Sequence, residues 1–249
     1  MKVISSTHNE QIKSVVALHL PKGRLQQQRF IAQGFITCST LVQAGMQVQE
    51  LYVTQELQRE AFKLAPEPLI ALVDDHVMNK ISTVTTPSGL VAVFALPENP
   101  SPELLGPGLV LANITDPGNM GTLIRTAVAM NVQSIVIVDG VDPWSPKVVQ
   151  ASAGTIGRAN LFVWPWDTLV RNKKDLTLCA LVVSGGENPH TVATQKALLV
   201  VGNEAHGLTA QQCADCDTQI TIPMPGNTES LNAAVAGSIA LYLAFGSTR

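Results

Sequence analysis

Cysteine is sparse, long apolar runs are missing, and no Gly-x-Gly-x-x-Gly fingerprint occurs in the chain. The cysteines are Cys38, Cys179, Cys213 and Cys216. Only the last two form a C-x-x-C pair, and no second pair or nearby histidine completes a zinc set. The expectation is reduced thiols in a helical turn and no metal site. No apolar stretch approaches the roughly 18 to 20 residues that a membrane span needs. The N-terminal Met1–Ser6 lacks a signal-peptide core, so the expected location is cytoplasmic. Without the glycine fingerprint, a dinucleotide fold is not indicated. A net charge of −3 argues against coating nucleic acid through bulk charge.

What is present points elsewhere. Hydrophobic residues make up 46% of the 249, enough for a buried core and too many for disorder. Charge is uneven. Lys2, Lys13, Lys22, Arg24 and Arg29 face only Glu10 within residues 1–30, a net of +4, whereas residues 98–249 carry 8 basic and 12 acidic residues, a net of −4. A basic end on an acidic body fits localised contact with a polyanion, and equally a solvated helix face. Pro97, Pro100 and Pro102 mark a linker, because proline continues neither a helix nor a central strand. Before it, a helix over Gln28–Gly45 and strands at Leu51–Thr54, Leu69–Val73 and Leu90–Ala95 predict a small α/β unit. After it, apolar runs at Leu109–Ala112, Ser134–Val138, Leu178–Val183, Ala197–Val201 and Gln219–Ile222 alternate with helical segments. That pattern predicts a parallel sheet covered on both faces, with ligands at the carboxyl ends of the strands.

Three strand-end segments carry the chemistry. Asn113-Ile114-Thr115-Asp116-Pro117-Gly118-Asn119 is a tight turn running into a helix that Asn119 can cap. On that helix Leu123, Ile124, Ala127 and Val128 form an apolar stripe, and Arg125 projects away from it. Gly202-Asn203-Glu204-Ala205-His206-Gly207 places two glycines around a carboxylate, which permits close backbone approach to a ligand. Ile222-Pro223-Met224-Pro225-Gly226-Asn227-Thr228-Glu229-Ser230-Leu231-Asn232 ends a strand in a Pro/Gly loop, with Ser230 placed to cap a helix rich in Ala and Gly. Taken singly, each segment is equally an ordinary strand-to-helix loop.

In this order and spacing, the three segments resemble the motifs of the SpoU/TrmH group of SPOUT RNA 2′-O-ribose methyltransferases. The first is similar to Asn-x-x-Asp-Pro-x-Asn-x-Gly-x-x-x-Arg-Thr-Ala throughout, the second to Gly-Asn-Glu-Gly-x-Gly-Leu with Ala205 in place of the middle glycine, and the third to Ile-Pro-Met … Ser-Leu-Asn. Ser145–Gly154 also looks like a family segment. Asn9-x-x-x-Lys13, Arg29-Phe30 and Thr86–Val93 resemble an L30e-like substrate-binding domain, with Gln33-Gly34 where many members have Glu-Gly. The resemblance implies an α/β architecture: an L30e-like domain over 1–96, a linker over 97–107 and a trefoil-knotted SPOUT domain with a parallel sheet over 108–249.

It further implies a homodimer and S-adenosyl-L-methionine as cofactor. Gly202, Asn203, Ile222, Met224 and Leu231 would hold that cofactor, and Arg125, Asn119, Glu204, Ser230 and Asn232 would be catalytic. Structured RNA is the implied substrate, ribosomal RNA before transfer RNA, with phosphate contacts expected from Lys13, Lys22, Arg24 and Arg29. A ribose hydroxyl is a poor nucleophile, so a site must align it and favour loss of its proton. A guanidinium stays protonated and is ill-suited as a base; Arg125 is expected to bind a phosphate and stabilise charge on O2′. A non-catalytic RNA-binding or ribosome-assembly protein and a base methyltransferase are the alternatives.

Overall fold

Strands and helices alternate along the chain and sort into two packed units, one of Met1–Glu98 with Trp144–Gly157, the other of Asn99–Pro143 with Arg158–Arg249. The computed structural model describes residues 1–192, 195–226 and 229–246; Asn227 and Thr228 of the third segment lie outside them.

The first unit begins with β1 (Lys2–Ile4), α1 (Glu10–Ala17), α2 (Pro21–Gln27), β2 (Arg29–Gln33) and α3 (Phe35–Gln43). It continues with β3 (Val48–Val53), α4 (Gln58–Ala61), β4 (Ile70–Val73), α5 (Asp75–Ile81) and β5 (Leu90–Ala95). Among the described residues its sheet has the order β1-β4-β3-β5-β2, parallel from β1 to β3 and antiparallel across β5. Asn9 and Asp74 start α1 and α5 by accepting the backbone N–H groups of Gln11 and Val77. The helix expected over Gln28–Gly45 does not form as one element. Gln28 takes φ 52°, β2 pairs with β5 from Arg29↔Ala95 to Gln33↔Val91, and Gly34 at φ 77° turns the chain into the shorter α3. Cross-strand packing, with the rings of Phe30 and Phe94 stacked at 5.5 Å, outweighs the helical spacing. Gln33 points inward. Its amide oxygen accepts from Ser82 Oγ at 2.8 Å and Thr83 N at 3.1 Å, so it staples the turn after α5.

The second unit is built on β6 (Gly108–Ala112), α6 (Pro117–Ala129) and β7 (Ser134–Val138). The chain then leaves for α7 (Pro146–Ala151) and returns as β8 (Asn160–Val163), α8 (Trp166–Asn172) and β9 (Thr177–Leu181), followed by β10 (Ala197–Val201), α9 (Ala210–Asp215), β11 (Thr218–Ile220) and α10 (Ala233–Phe245). Among the described residues the sheet order is β11-β9-β10-β6-β7-β8, and every pairing is parallel. All residues of β6, β7 and β10 are buried, as expected for central strands covered on both faces. Val110, Val136, Leu198 and Val200 pack in one cluster with Leu169 of α8. On Gly237 of α10 a Cβ would lie 2.5 Å from Leu123 Cδ2 and 3.1 Å from Val201 Cγ2, so the small-residue helix packs tightly on α6 and β10.

A single cut in the proline-rich segment misses one excursion. Residues 144–157, expected in the C-terminal domain, pack in the first unit. Trp144 lies 4.7 Å from the Phe30 ring, α7 buries Val148 and Val149, and Gly154 meets Thr37 so closely that a Cβ would come within 2.4 Å of its carbonyl oxygen. These apolar contacts with β2 and α3 draw the segment out of the unit that precedes and follows it in sequence.

Candidate active site

Parallel pairing puts the carboxyl ends of β6, β9, β10 and β11 along one edge of the second sheet, and the expected site residues lie there. Asn113, directly after β6, adopts φ 59°. Its N–H donates to Val138 O at 2.8 Å, and its carbonyl accepts from Asn203 Nδ2 at 2.9 Å. Asp116, not Asn119, caps α6, accepting from Asn119 N at 2.7 Å. That leaves the Asn119 side chain free of capping and directed across the loop. Likewise Asn232, not Ser230, caps α10, accepting from Ala234 N and Val235 N. In both places the capping side chain is the one that lies a single residue before the helix, a distinction of two or three residues that sequence leaves open.

Glu204 is the hub of the cluster. Its Oε1 accepts from Asp116 N and Asn119 Nδ2, each at 3.1 Å. Its Oε2 accepts from Thr115 Oγ1 at 3.1 Å, Thr115 N at 3.3 Å and Asn203 Nδ2 at 3.4 Å. Partial burial pushes the carboxyl pKa up, but the donors from Asn119, Asp116 and Thr115 outweigh it and hold the group below the usual range. Asn119 in turn accepts at Oδ1 from Asn232 Nδ2 at 3.2 Å. One hydrogen-bonded chain therefore joins all three segments: Asn113 through Asn203 and Glu204 to Asn119, and on to Asn232.

Beside this chain lies a cleft of about 290 Å³. It is lined by the ends of β9 (Leu181–Val183) and β10, by the Gly202–Gly207 loop, and by Ile222, Met224, Ser230, Leu231, Ala233 and Ala236. Gly202, Asn203, Ile222, Met224 and Leu231, expected to hold a cofactor, all lie on its wall. Gly202, however, has an internal use. A Cβ there would lie 2.5 Å from the Gly207 carbonyl carbon and 2.6 Å from Leu208 N, so the missing side chain makes room for the loop's own return. Asn203 and Gly207 close that loop with two backbone hydrogen bonds of 3.1 and 2.9 Å.

Arg125 stands apart. It is exposed on the face of α6 that also carries Gly118, Thr122 and Ala129, and it is not among the residues lining the cleft. Six residues after Asn119, it points about 120° away round the helix. Of the four cations expected to meet phosphate, Lys13 and Lys22 are exposed. Arg24 is a correction: it is 2% exposed, and its guanidinium donates to Leu18 O at 2.8 Å and His19 O at 3.0 Å, closing the end of α1. Arg29 is half-buried and paired with Glu50 at 2.8 Å. Among the described residues no group of three or more His, Cys, Asp or Glu side chains could hold a metal ion. Burial is the main cause that pushes the Cys216 thiol up to about 12.

Asn113, Thr115 and Asp116 are site members that the sequence does not single out individually, although all three belong to the first segment. The rule that ligands meet strand ends would have pointed to Leu181–Val183. Nothing local signals Gln212, whose Nε2 donates to Asn113 Oδ1 at 3.1 Å from 99 residues away.

Known proteins resemble this chain over nearly its whole length. Residues 107–242 match the SpoU rRNA Methylase family, and residues 9–92 match the MRM3-like substrate binding domain. An uncharacterised tRNA/rRNA methyltransferase of Synechocystis is 32% identical, over 96% of this chain and 92% of that protein. The 23S rRNA (guanosine(2553)-2′-O)-methyltransferase of Bacillus subtilis is 27% identical over 97% of this chain and 98% of its own. An AdoMet-bound rRNA methyltransferase from Sinorhizobium meliloti superposes with a TM-score of 0.86 at 26% identity, covering 98% of this chain and 97% of the other. With residues 107–242, more than half its length, matched by that family, the chain belongs to the SpoU rRNA methylase family.

Proposed function

We propose that this protein transfers a methyl group from S-adenosyl-L-methionine to a ribose 2′-hydroxyl of ribosomal RNA. The observation that carries the reading is the joining of three distant strand-end segments by Glu204, which holds Asn119 of the first, and by Asn232 of the third, which bonds that Asn119, beside a cleft of cofactor-compatible chemistry. The lining fits that cofactor. Leu181, Val201, Ile222 and Leu231 offer apolar surface for a purine face, and the strand-end loops offer backbone groups for its polar edge. Among the described residues no lysine or arginine lines the cleft, as suits a ligand that carries its own sulfonium charge. Bound there, S-adenosylmethionine supplies an electrophilic methyl group.

The chain's own residues do the rest. Glu204 holds the amide of Asn119 in one orientation, and Asn232 holds it from the other side. Asn119, Asn232 and Ser230 then orient the ribose. Arg125 grips the neighbouring phosphate and stabilises negative charge as it develops on O2′. Its exposure suits a group waiting for RNA. Lys13 and Lys22 add phosphate contacts in the substrate-binding unit; the exposed Lys13–Glu10 pair at 2.7 Å is of a kind that gives way readily to a stronger anion.

We further propose a homodimer, a trefoil-knotted path for the second unit and a cytoplasmic location. The homodimer is supported by the apolar surface of α10, where Val235 is 49% and Tyr242 62% exposed seven residues apart on one face. It is also supported by the position of Arg125 off the cleft of its own chain. Relatives named as 23S rRNA 2′-O-methyltransferases favour ribosomal over transfer RNA. Among the described residues no helix is long and apolar enough to cross a membrane.

The test is incubation of the purified protein with labelled S-adenosylmethionine and ribosomal RNA from cells lacking its gene, followed by digestion to nucleosides. A 2′-O-methylated nucleoside is expected. A base-methylated product would overturn the ribose assignment, and RNA binding without cofactor binding would leave only a ribosome-assembly role.

A further inference from the structure

We infer that Gln212 is a positioning residue for methyl transfer, acting through Asn113. The inference rests on the function just proposed and extends it to a residue outside both the cleft and the Glu204 hub. Gln212 lies on α9 and is only 6% exposed. Its Oε1 accepts from Thr209 N at 2.9 Å while its own N–H donates to Thr209 Oγ1 at 3.1 Å, closing a capping box. That box uses only one of the two side-chain polar atoms. The other, Nε2, donates to Asn113 Oδ1, a bond that does nothing for α9.

What it does is hold Asn113. A non-glycine residue at φ 59° persists when its surroundings secure it. Val138 O secures the Asn113 backbone N–H and Gln212 secures its side chain. Two arms leave this fixed point. Through its carbonyl, Asn113 holds Asn203, whose Oδ1 accepts from Ala205 N and His206 N and so shapes the loop lining the cleft. Along the chain, it sets the path of Thr115 and Asp116, whose N–H groups hold Glu204. Gln212 thus anchors the cofactor wall and the carboxylate hub at once.

A capping role and a positioning role separate by substitution. Glu at 212 serves the capping box as well as Gln does, and it can keep the long bond if Asn113 turns its amide over to donate. Glu at 212 opposite Asp at 113 also keeps the box, yet it sets two carboxylates face to face. In the full-length protein, assayed with S-adenosylmethionine and unmethylated ribosomal RNA, Gln212→Leu should lower kcat on the order of tenfold. RNA affinity should be unchanged, and amide exchange should accelerate in residues 113–116 and 203–207. Gln212→Glu should recover most of the rate, and Gln212→Glu combined with Asn113→Asp should lose it again. Equal rates for the single Glu variant and the double variant, or a folded Gln212→Leu protein with normal kcat, would overturn the inference. If Gln212→Leu fails to fold, the comparison of single with double variant decides. If the wild-type protein methylates nothing, the function proposed above fails, and amide exchange still decides the positioning role: faster exchange in both segments supports it, unchanged exchange refutes it.

Discussion

Replacing Glu204 by Gln changes one oxygen into an NH2 group and almost nothing else, yet the surrounding donors leave no place for it. Turned toward Oε2, the new amide would face Thr115 N, Thr115 Oγ1 and Asn203 Nδ2. Turned toward Oε1, it would face Asp116 N and Asn119 Nδ2. Asn119 could turn its own amide to compensate, but its Nδ2 would then meet Asn232 Nδ2. Asn232 cannot follow, because its Oδ1 caps α10 at Ala234 and Val235. At least one donor pair clashes in every arrangement. An unsatisfied buried group costs about 1–3 kcal/mol, and the partial exposure of this site, which lets water serve the displaced donors, places the total at about 1–2 kcal/mol. For a domain of this size that corresponds to a melting shift of about 3–8 °C at neutral pH. The sign of the pH dependence follows from the depressed carboxyl pKa. Ionised Glu204 stabilises the fold fully above the ordinary glutamate value of about 4.3, and that contribution is lost as pH falls through the lower folded value. The gap between wild type and variant should therefore close in acid. Thermal unfolding from pH 7 down to pH 3, read by circular dichroism, checks both statements, and kcat should fall about a hundredfold. Equal melting at pH 7 would refute the donor-frustration argument, and a gap that persists undiminished at pH 3 would refute the electrostatic part.

Gly202→Ala brings a Cβ against the Gly207–Leu208 backbone and must displace the cleft loop. Isothermal titration should show at least a tenfold loss of S-adenosylmethionine affinity, and undiminished affinity would contradict the tight return described for this loop. Arg24→Ala should cost about 2–4 kcal/mol in urea unfolding of the substrate-binding unit, since it strips the buried Leu18 carbonyl and the part-buried His19 carbonyl of their donor. Normal stability combined with lost RNA affinity would restore Arg24 to the phosphate-binding set. Arg125→Lys should melt within about 0.5 kcal/mol of wild type, because the side chain is exposed, while turnover drops sharply. Full turnover at unchanged RNA affinity would count against a bidentate phosphate grip.

Much of this protein is legible in its residues because the determining interactions are local or repetitive. Continuous apolar runs read as buried parallel strands, and all five expected after the linker reappear with ends within two residues as β6, β7, β9, β10 and β11. The short β1 and β8 escaped notice: three or four residues carry too little pattern to stand out from loops. Turn chemistry located the Asp116–Asn119 corner but misassigned its cap, because Asp116 and Asn119 are both good capping residues and only backbone geometry chooses between them. Arg24 reads in sequence as one more surface cation; it is buried because the turn between α1 and α2 aims the carbonyls of Leu18 and His19 at its guanidinium.

By itself, then, the order of residues determined the alternation of elements, the strand ends where chemistry would sit and the motifs that reveal the family, since each depends on neighbours within a few positions. Tertiary structure alone decided that residues 144–157 pack against the first unit, that Gln33 staples a turn, and that Gln212 reaches Asn113. Those outcomes depend on groups tens of residues apart meeting in one geometry, and a burial or hydrogen bond made across such a distance leaves no periodic trace in the chain.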